Sequence, residues 1–374
     1  MAQYPFIPVN EPLLNGNEEN YLIECIRTGW ISSEGPFVRK FEEQFAARLG
    51  RNYGIAVCNG TAALDTAVAA IGIAPGDEVI LPTFTIISCI GQIIRNGAKP
   101  VLVDSDPLTW NMDVTKIEQN ITPRTKAILV VHIYGLPVDM EPIWVLAEKY
   151  GLIIIEDAAE AIGQTYNGKA CGSLGHISTF SFYPNKHITT GEGGMIVTDD
   201  PVLAEKCRSF RNLCFRPEQR FVHEEMGWNF RLTNLQAAVG LAQLERLDEF
   251  VQIKRSIGTR YTELFADTQG LQLPLSKTPF AENIYWVYGI VLSDSVNLDA
   301  KAAMSRLTKL GIGTRPFFWP MHEQPVFLKK GLFGKDRHPV AERIARRGFY
   351  LPSGLALTGE QIERTVDAVL EILQ

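Results

Sequence analysis

The chain has 374 residues, of which 46% are hydrophobic and 21% charged, with 31 glycines. That is about twice the ~100–200 residues of one domain and predicts a large domain plus a smaller one; the change of pattern after the helical stretch from Thr233 puts the boundary near 245, giving 1–245 and 246–374. The 36 Lys and Arg against 42 Asp and Glu, net −6, exclude a basic nucleic-acid footprint, and 19 Phe with a mean hydropathy of +0.00 exclude a disordered chain.

Short β-branched runs alternate with helical patterns over the first two hundred residues, which predicts an α/β sheet with crossover helices. The predicted strands are Gly54–Cys58, Glu78–Leu81, Pro100–Asp104, Ala127–His132, Leu152–Glu156, Ser178–Tyr183 and Gly194–Thr198. Runs such as KAILVVH and GLIIIED are apolar throughout, as expected of strands covered on both faces. ALDTAVAAIG and MEPIWVLAEKYG read as helices between them, and from Thr233 the apolar spacing predicts one long connecting helix. Beyond it come a strand at IYWVYGIVL, a helix near Lys301–Leu310 and a final helix from about Thr358.

The six cysteines show neither a C-x-x-C pair nor a zinc spacing, and predict scattered thiols in a reducing compartment. The opening MAQYPFIPVNEP lacks the features of a secretory signal. The longest uncharged apolar run, Val79 to Ile94 with Pro82 inside it, falls short of the ~20 residues of a membrane span. These features predict a cytoplasmic protein with neither membrane nor nucleic acid as partner.

Three segments can carry chemistry. Cys58-Asn59-Gly60-Thr61 lies between a strand and a helix, where glycine and free helix-start N–H groups can cradle an anion; an ordinary turn with a threonine cap fits equally. Glu156-Asp157-Ala158-Ala159-Glu160 closes an apolar strand, the edge where open parallel sheets bind ligands, and its carboxylates can hold a ring nitrogen protonated or cap a helix. Ser181-Phe182-Tyr183-Pro184-Asn185-Lys186 places a lysine just past a buried strand and before a glycine run. There it can act as a Schiff-base amine or lie in solvent, and His187 beside it reads as a core or surface histidine.

The order cradle, carboxylate, lysine, about 95 and 30 residues apart, is that of fold-type I pyridoxal-phosphate enzymes. With GWISSEGPFVRKFE, CNGTAAL, GDEVILPTFT, EDAAEAIG, TFSFYPNKHITTGEGGMI and GWNFRLTNLQAAVGLAQLE, the chain resembles the DegT/DnrJ/EryC1/StrS family of sugar aminotransferases from about Pro8 to the final helix. TRPFFWPMH and the W-I-S-S-x-G segment look most like the perosamine-synthase branch of that family.

The resemblance implies a mostly parallel seven-stranded sheet plus a smaller α+β C-terminal domain. It also implies pyridoxal 5'-phosphate carried covalently on Lys186, with pyridoxamine phosphate between half-reactions. Asp157 would pair with the pyridine nitrogen, and Glu160 would lie near the phenolic oxygen. Gly60, Thr61 and Ser181 would hold the phosphate, with Asn229 reaching over from the second subunit of a homodimer. Trp30, Ser32, Arg231 and His322 fall in segments similar to the family's sugar-nucleotide contacts; Trp30 and His322 can equally serve packing.

Two departures stand out. Ile86 occupies the position of a ring-stacking aromatic, with Phe84 nearby, and Arg211-Asn212-Leu213-Cys214-Phe215 replaces a glycine-containing segment. The expected reaction moves an amino group from L-glutamate to the C4 ketone of a nucleotide-linked 4-keto-6-deoxyhexose, as in O-antigen sugar synthesis. A dTDP- or UDP-linked keto sugar, a 3-keto sugar or a keto-inositol is the alternative acceptor. The family's dehydratases carry histidine where this chain has Lys186, which argues against dehydration; a binding protein on the same fold would be expected to lack Lys186 or Asp157.

Overall fold

The computed structural model describes residues 5–216 and 218–374. Its main sheet uses β1 (Tyr53–Val57), β2 (Glu78–Pro82), β3 (Lys99–Val103), β4 (Thr125–Val131) and β5 (Ile153–Asp157). A small hairpin, β6 (Thr165–Tyr166) and β7 (Lys169–Ala170), precedes the last two strands, β8 (Ile177–Ser181) and β9 (Gly194–Thr198). The order across the sheet is β1-β9-β8-β5-β4-β2-β3. Six strands run parallel, while β9 runs antiparallel to both its neighbours, so Ser181 at the end of β8 and Val57 at the end of β1 both face Gly194 at the start of β9. All seven predicted strands are present, with no end moved by more than two residues.

Helices α1 (Glu18–Thr28), α2 (Pro36–Arg48), α3 (Gly60–Ala70), α4 (Ser88–Arg95), α5 (Glu141–Tyr150) and α6 (Pro201–Arg211) cover the sheet. The long connecting helix expected from Thr233 is instead two helices, α7 (Asn234–Leu244) and α8 (Leu247–Leu264), broken at Arg246 with φ −113° and ψ 11°. The cause is a change of environment. α7 is buried on nearly all sides against α1 and α2, close enough that Gly240 leaves a β-carbon no room beside Phe41 and Thr190. α8 buries only one stripe, Leu247, Phe250, Val251, Lys254, Ile257 and Tyr261. An i, i+3, i+4 pattern reads both segments alike.

The rest of the chain builds a second, antiparallel sheet in the order β10 (Leu271–Gln272), β13 (Tyr288–Leu292), β15 (Gly348–Leu351), β14 (Arg315–Pro316), beside a hairpin of β11 (Lys277–Thr278) and β12 (Ala281–Glu282). α8, α9 (Ala300–Lys309) and α12 (Gly359–Leu373) contribute to its apolar core; α10 (Pro325–Leu328) and α11 (Pro339–Arg347) pack on the cluster that includes Trp110, Tyr134 and Phe317. The expected strand at IYWVYGIVL starts only at Tyr288. Asn283 Oδ1 accepts the Tyr285 N–H at 2.7 Å, and Tyr285 adopts the left-handed φ of 49°, so a turn displaces the strand's first residues. The chain before α1 joins this second region, with Ile7 paired to Ile312 and Val9 O accepting the Ser353 N–H.

Candidate active site

The site forms where the carboxyl ends of β1, β5 and β8 meet the start of β9, around a cavity of about 800 Å³. Alternation along β5 separates its two terminal carboxylates. Glu156 turns away from the cavity and is satisfied by His132 Nε2 (3.0 Å), the N–H groups of Gly172, Leu174 and Gly175, and the Ser178 hydroxyl (2.8 Å). Burial pushes its pKa up, but the His132 contact and these donors leave it below the ordinary value. Asp157 turns into the cavity. Its Oδ1 accepts the Ala159 N–H at 3.0 Å and its Oδ2 the Cys89 thiol at 3.3 Å, while burial raises its pKa.

Glu160, one turn further on, is buried and accepts the Tyr134 N–H at 2.9 Å. Tyr134 takes a left-handed φ of 56° to present that group. Burial moves the Glu160 carboxyl up to about 7.

Lys186 stands on the loop between β8 and β9, its own N–H bonded to Tyr183 O at 2.9 Å. Its Nζ lies 3.8 Å from Glu160 Oε1 and 3.6 Å from the centroid of the Trp286 ring. Burial lowers its pKa against the opposing pull of Glu160 and Asp157, which makes the free amine more available than on a surface lysine.

The expected phosphate cradle has a steric origin. A β-carbon on Gly60, the first residue of α3, would lie 2.7 Å from Ser181 Cβ, so only glycine lets the helix start approach β8 this closely. The helix cap is Asn59, whose Oδ1 accepts the Ala62 N–H at 2.8 Å, and not Thr61. Thr61 is left facing Ser88, hydroxyl to hydroxyl at 2.7 Å. The first N–H groups of a helix lack intrahelical partners; Asn59 takes that of Ala62, and Gly60 and Thr61 before it line the cavity beside Ser181.

Seven of the expected residues therefore line one cavity: Gly60, Thr61, Ile86, Asp157, Glu160, Ser181 and Lys186. Ile86 is half exposed there, as an aliphatic cover should be. Five others lie outside it. Asn229 is exposed, and its Oδ1 accepts the Arg231 Nε–H at 2.8 Å; Arg231 also donates to Asn212 at 3.2 Å. The carbonyls of Trp30 and Ser32 are both pinned by Asn234, at 2.7 and 3.0 Å. His322 is buried between Thr83 (2.8 Å) and Glu342 (3.1 Å), with its ring against His338, a set of partners suited to packing.

Phe318 belongs to the TRPFFWPMH segment, but no sequence signal marks Trp286 and Tyr350, which also reach the cavity from beyond residue 280, or Cys89, one of six scattered cysteines. The departure at 211–215 has a backbone counterpart: Leu213 and Cys214 hold left-handed φ values of 60° and 52°, the conformation glycine adopts freely.

A buried amine beside two carboxylates, next to a helix-start cradle at the carboxyl edge of this sheet, defines a fold-type I pyridoxal-phosphate aminotransferase. Comparison with known proteins agrees. The model of the DegT/DnrJ/EryC1/StrS aminotransferase family matches residues 12–370. GDP-perosamine synthase of Caulobacter vibrioides is 43% identical, with 100% of each chain covered, and that of Escherichia coli O157:H7 is 42% identical, with 98% of each covered. Among solved structures, the aminotransferase TlmJ from Streptoalloteichus hindustanus superposes with a TM-score of 0.91 at 32% identity over 98% of each chain. The chain belongs to the DegT/DnrJ/EryC1/StrS aminotransferase family.

The residues present fit the cofactor of that family. The cradle at Gly60 would take its phosphate, and Asp157 its ring nitrogen. Thr179 Oγ1 and Asn185 Oδ1, on residues that line the cavity, are buried without a protein partner and would serve its polar atoms. When bound, pyridoxal phosphate supplies an electron sink for charge developing at the donor's α-carbon.

Proposed function

We propose that the protein moves an amino group from L-glutamate to the C4 ketone of a GDP-linked 4-keto-6-deoxyhexose, a step in making deoxyaminosugars for surface polysaccharides such as O-antigen. Lys186 is the observation that carries this reading: a lysine, rather than a histidine, faces Asp157 and Glu160 in the cavity. The full-length likeness to two GDP-perosamine synthases supports the acceptor.

In this reading Lys186 Nζ would hold the cofactor until the donor amine takes its place, and would then be the base for the proton of the donor's α-carbon. Asp157, fixed by Ala159 and Cys89, keeps a ring nitrogen protonated. Gly60, Thr61 and Ser181 bind phosphate through local donors, which is how an acidic chain can bind an anion. Tyr350, Phe318 and Trp286 give the cavity apolar lining that helps exclude water.

The exposed Asn229, outside its own chain's cavity, is taken to complete the partner subunit's site in a homodimer. Trp30, Ser32 and Arg231 are assigned to the sugar nucleotide, Arg231 having a guanidinium fork suited to pyrophosphate, while the buried His322, expected there too, is taken for a packing residue. The division near residue 245 falls at the α7–α8 break, and six free thiols suit the cytoplasm. Among the described residues, no helix is long and apolar enough to cross a membrane.

A half-reaction assay tests the reading. The enzyme is loaded with glutamate, freed of donor, and offered GDP-, dTDP- and UDP-4-keto-6-deoxy sugars. Recovery of the cofactor's original absorbance with the GDP sugar, with product mass showing amination, is expected; recovery with another sugar alone would reassign the acceptor.

A further inference from the structure

We propose that Trp286 is the positioning residue of Lys186: its indole face seats Nζ while that nitrogen carries a proton during transamination, and its ring N–H fixes the loop on which the lysine stands. The inference rests on Lys186 being the reactive lysine.

Trp286 holds Lys186 at both ends. The ring centroid is 3.6 Å from Nζ, well inside the ~6 Å reach of a cation–π contact. The indole Nε1–H donates at 2.7 Å to the carbonyl of Asn185, the residue bonded to the Lys186 nitrogen. Trp286 is itself fixed from behind. Its carbonyl accepts the buried Lys254 Nζ–H at 2.9 Å, and the left-handed Tyr285 before it is pinned by Asn283. A residue that only walled the cavity would need neither the directed N–H nor the strained turn that aims the ring.

The chemistry explains why such a seat is useful. As the donor's α C–H bond breaks, an N–H bond forms and the neutral Nζ becomes an ammonium. It then returns a proton to the neighbouring carbon of the bound pair, with no net change in the lysine. For that interval a positive charge sits in a site that leaves the side chain only 10% exposed. Glu160, Asp157 and Cys89 face it and favour the charge, whereas burial opposes it; burial and Lys186 in turn hold the nearby Lys254 and His187 below their ordinary pKa values. An aromatic face attracts an ammonium without taking up its N–H groups, so they stay free to point at carbon.

The test replaces Trp286 by tryptophans carrying one, two and four fluorines, which drain the π face and nearly preserve shape. In cofactor-free protein, the pH midpoint for covalent capture of pyridoxal phosphate reports the Lys186 ammonium. It should fall stepwise, by about one unit across the series, as the face weakens. In the reloaded enzyme, absorbance bleaching by L-glutamate should slow by about tenfold for Trp286→Leu, consistent with loss of a contact of that strength. The isotope effect with α-deuterated glutamate should rise at the same time. A flat midpoint and an unchanged isotope effect across the fluorinated series would overturn the proposal. Lys186→Ala separates the two readings: if that variant still captures the cofactor covalently, the assignment of Lys186 itself fails, whatever Trp286 does.

Discussion

Lys186, Asp157 and Glu160 owe their chemistry to burial more than to identity. Replacing Lys186 with alanine should cost at least about 10³-fold in turnover, since it removes both the anchoring amine and the proton carrier. Sustained multiple turnover by that variant would sink the assignment. Glu160 allows a pH prediction. Its folded pKa of about 7 lies above the ordinary 4.5. A raised folded value means the stability tied to this group is complete below about 4.5 and is lost as pH rises toward 7. Glu160→Gln can still accept the Tyr134 N–H but cannot ionise. In thermal melts of cofactor-free protein, its stability relative to wild type should therefore increase between pH 5 and pH 8. An equal difference at both pH values would refute the sign.

At the scale of elements, α3 and β8 are locked by the missing side chain at Gly60. Gly60→Ala should destabilise the cofactor-free protein by about 1–3 kcal/mol, the usual cost of overpacking. Adding Ser181→Gly removes the Cβ it would strike, so the double variant should melt above the single one. No recovery would mean that the clash lies elsewhere. Strands covered on both faces announce themselves as apolar runs, as β4 and β5 do, and short β-branched runs between helical patterns made the others of the main sheet readable. The α7–α8 break and the late start of β13 were not, because both are decided by what packs on the segment. The site divides in the same way. Lys186, Asp157, Glu160 and Gly60 sit at strand ends and helix starts that local pattern reveals. Trp286 and Cys89 enter through tertiary packing, and nothing in their own neighbourhoods marks them. His322 shows the converse: a motif histidine whose partners, Thr83 and Glu342, were invisible in the sequence.

For the whole molecule, the proposed exchange of Asn229 between subunits makes a quantitative prediction. Lys186→Ala and Asn229→Ala proteins should each be impaired alone, and inactive or nearly so in the first case. Mixed and allowed to exchange, half of the dimers would be hybrids holding one intact site of two, so about a quarter of wild-type activity should return. Simple addition of the separate activities would argue that each chain closes its own site.

The reversed strand β9 has a further consequence. Had the chain left β8 through a crossover helix, as β4 does on its way to β5, it would have travelled to the opposite edge of the sheet. Because β9 runs back between β1 and β8, residues 182–193 instead form an arch with both feet on the ligand-binding edge, at Ser181 and Gly194. An arch with two fixed feet has a fixed span, and Lys186 stands within it. Lengthening it by even one residue should move the amine off Glu160 and Trp286, whereas crossover loops elsewhere in the sheet should accept such insertions.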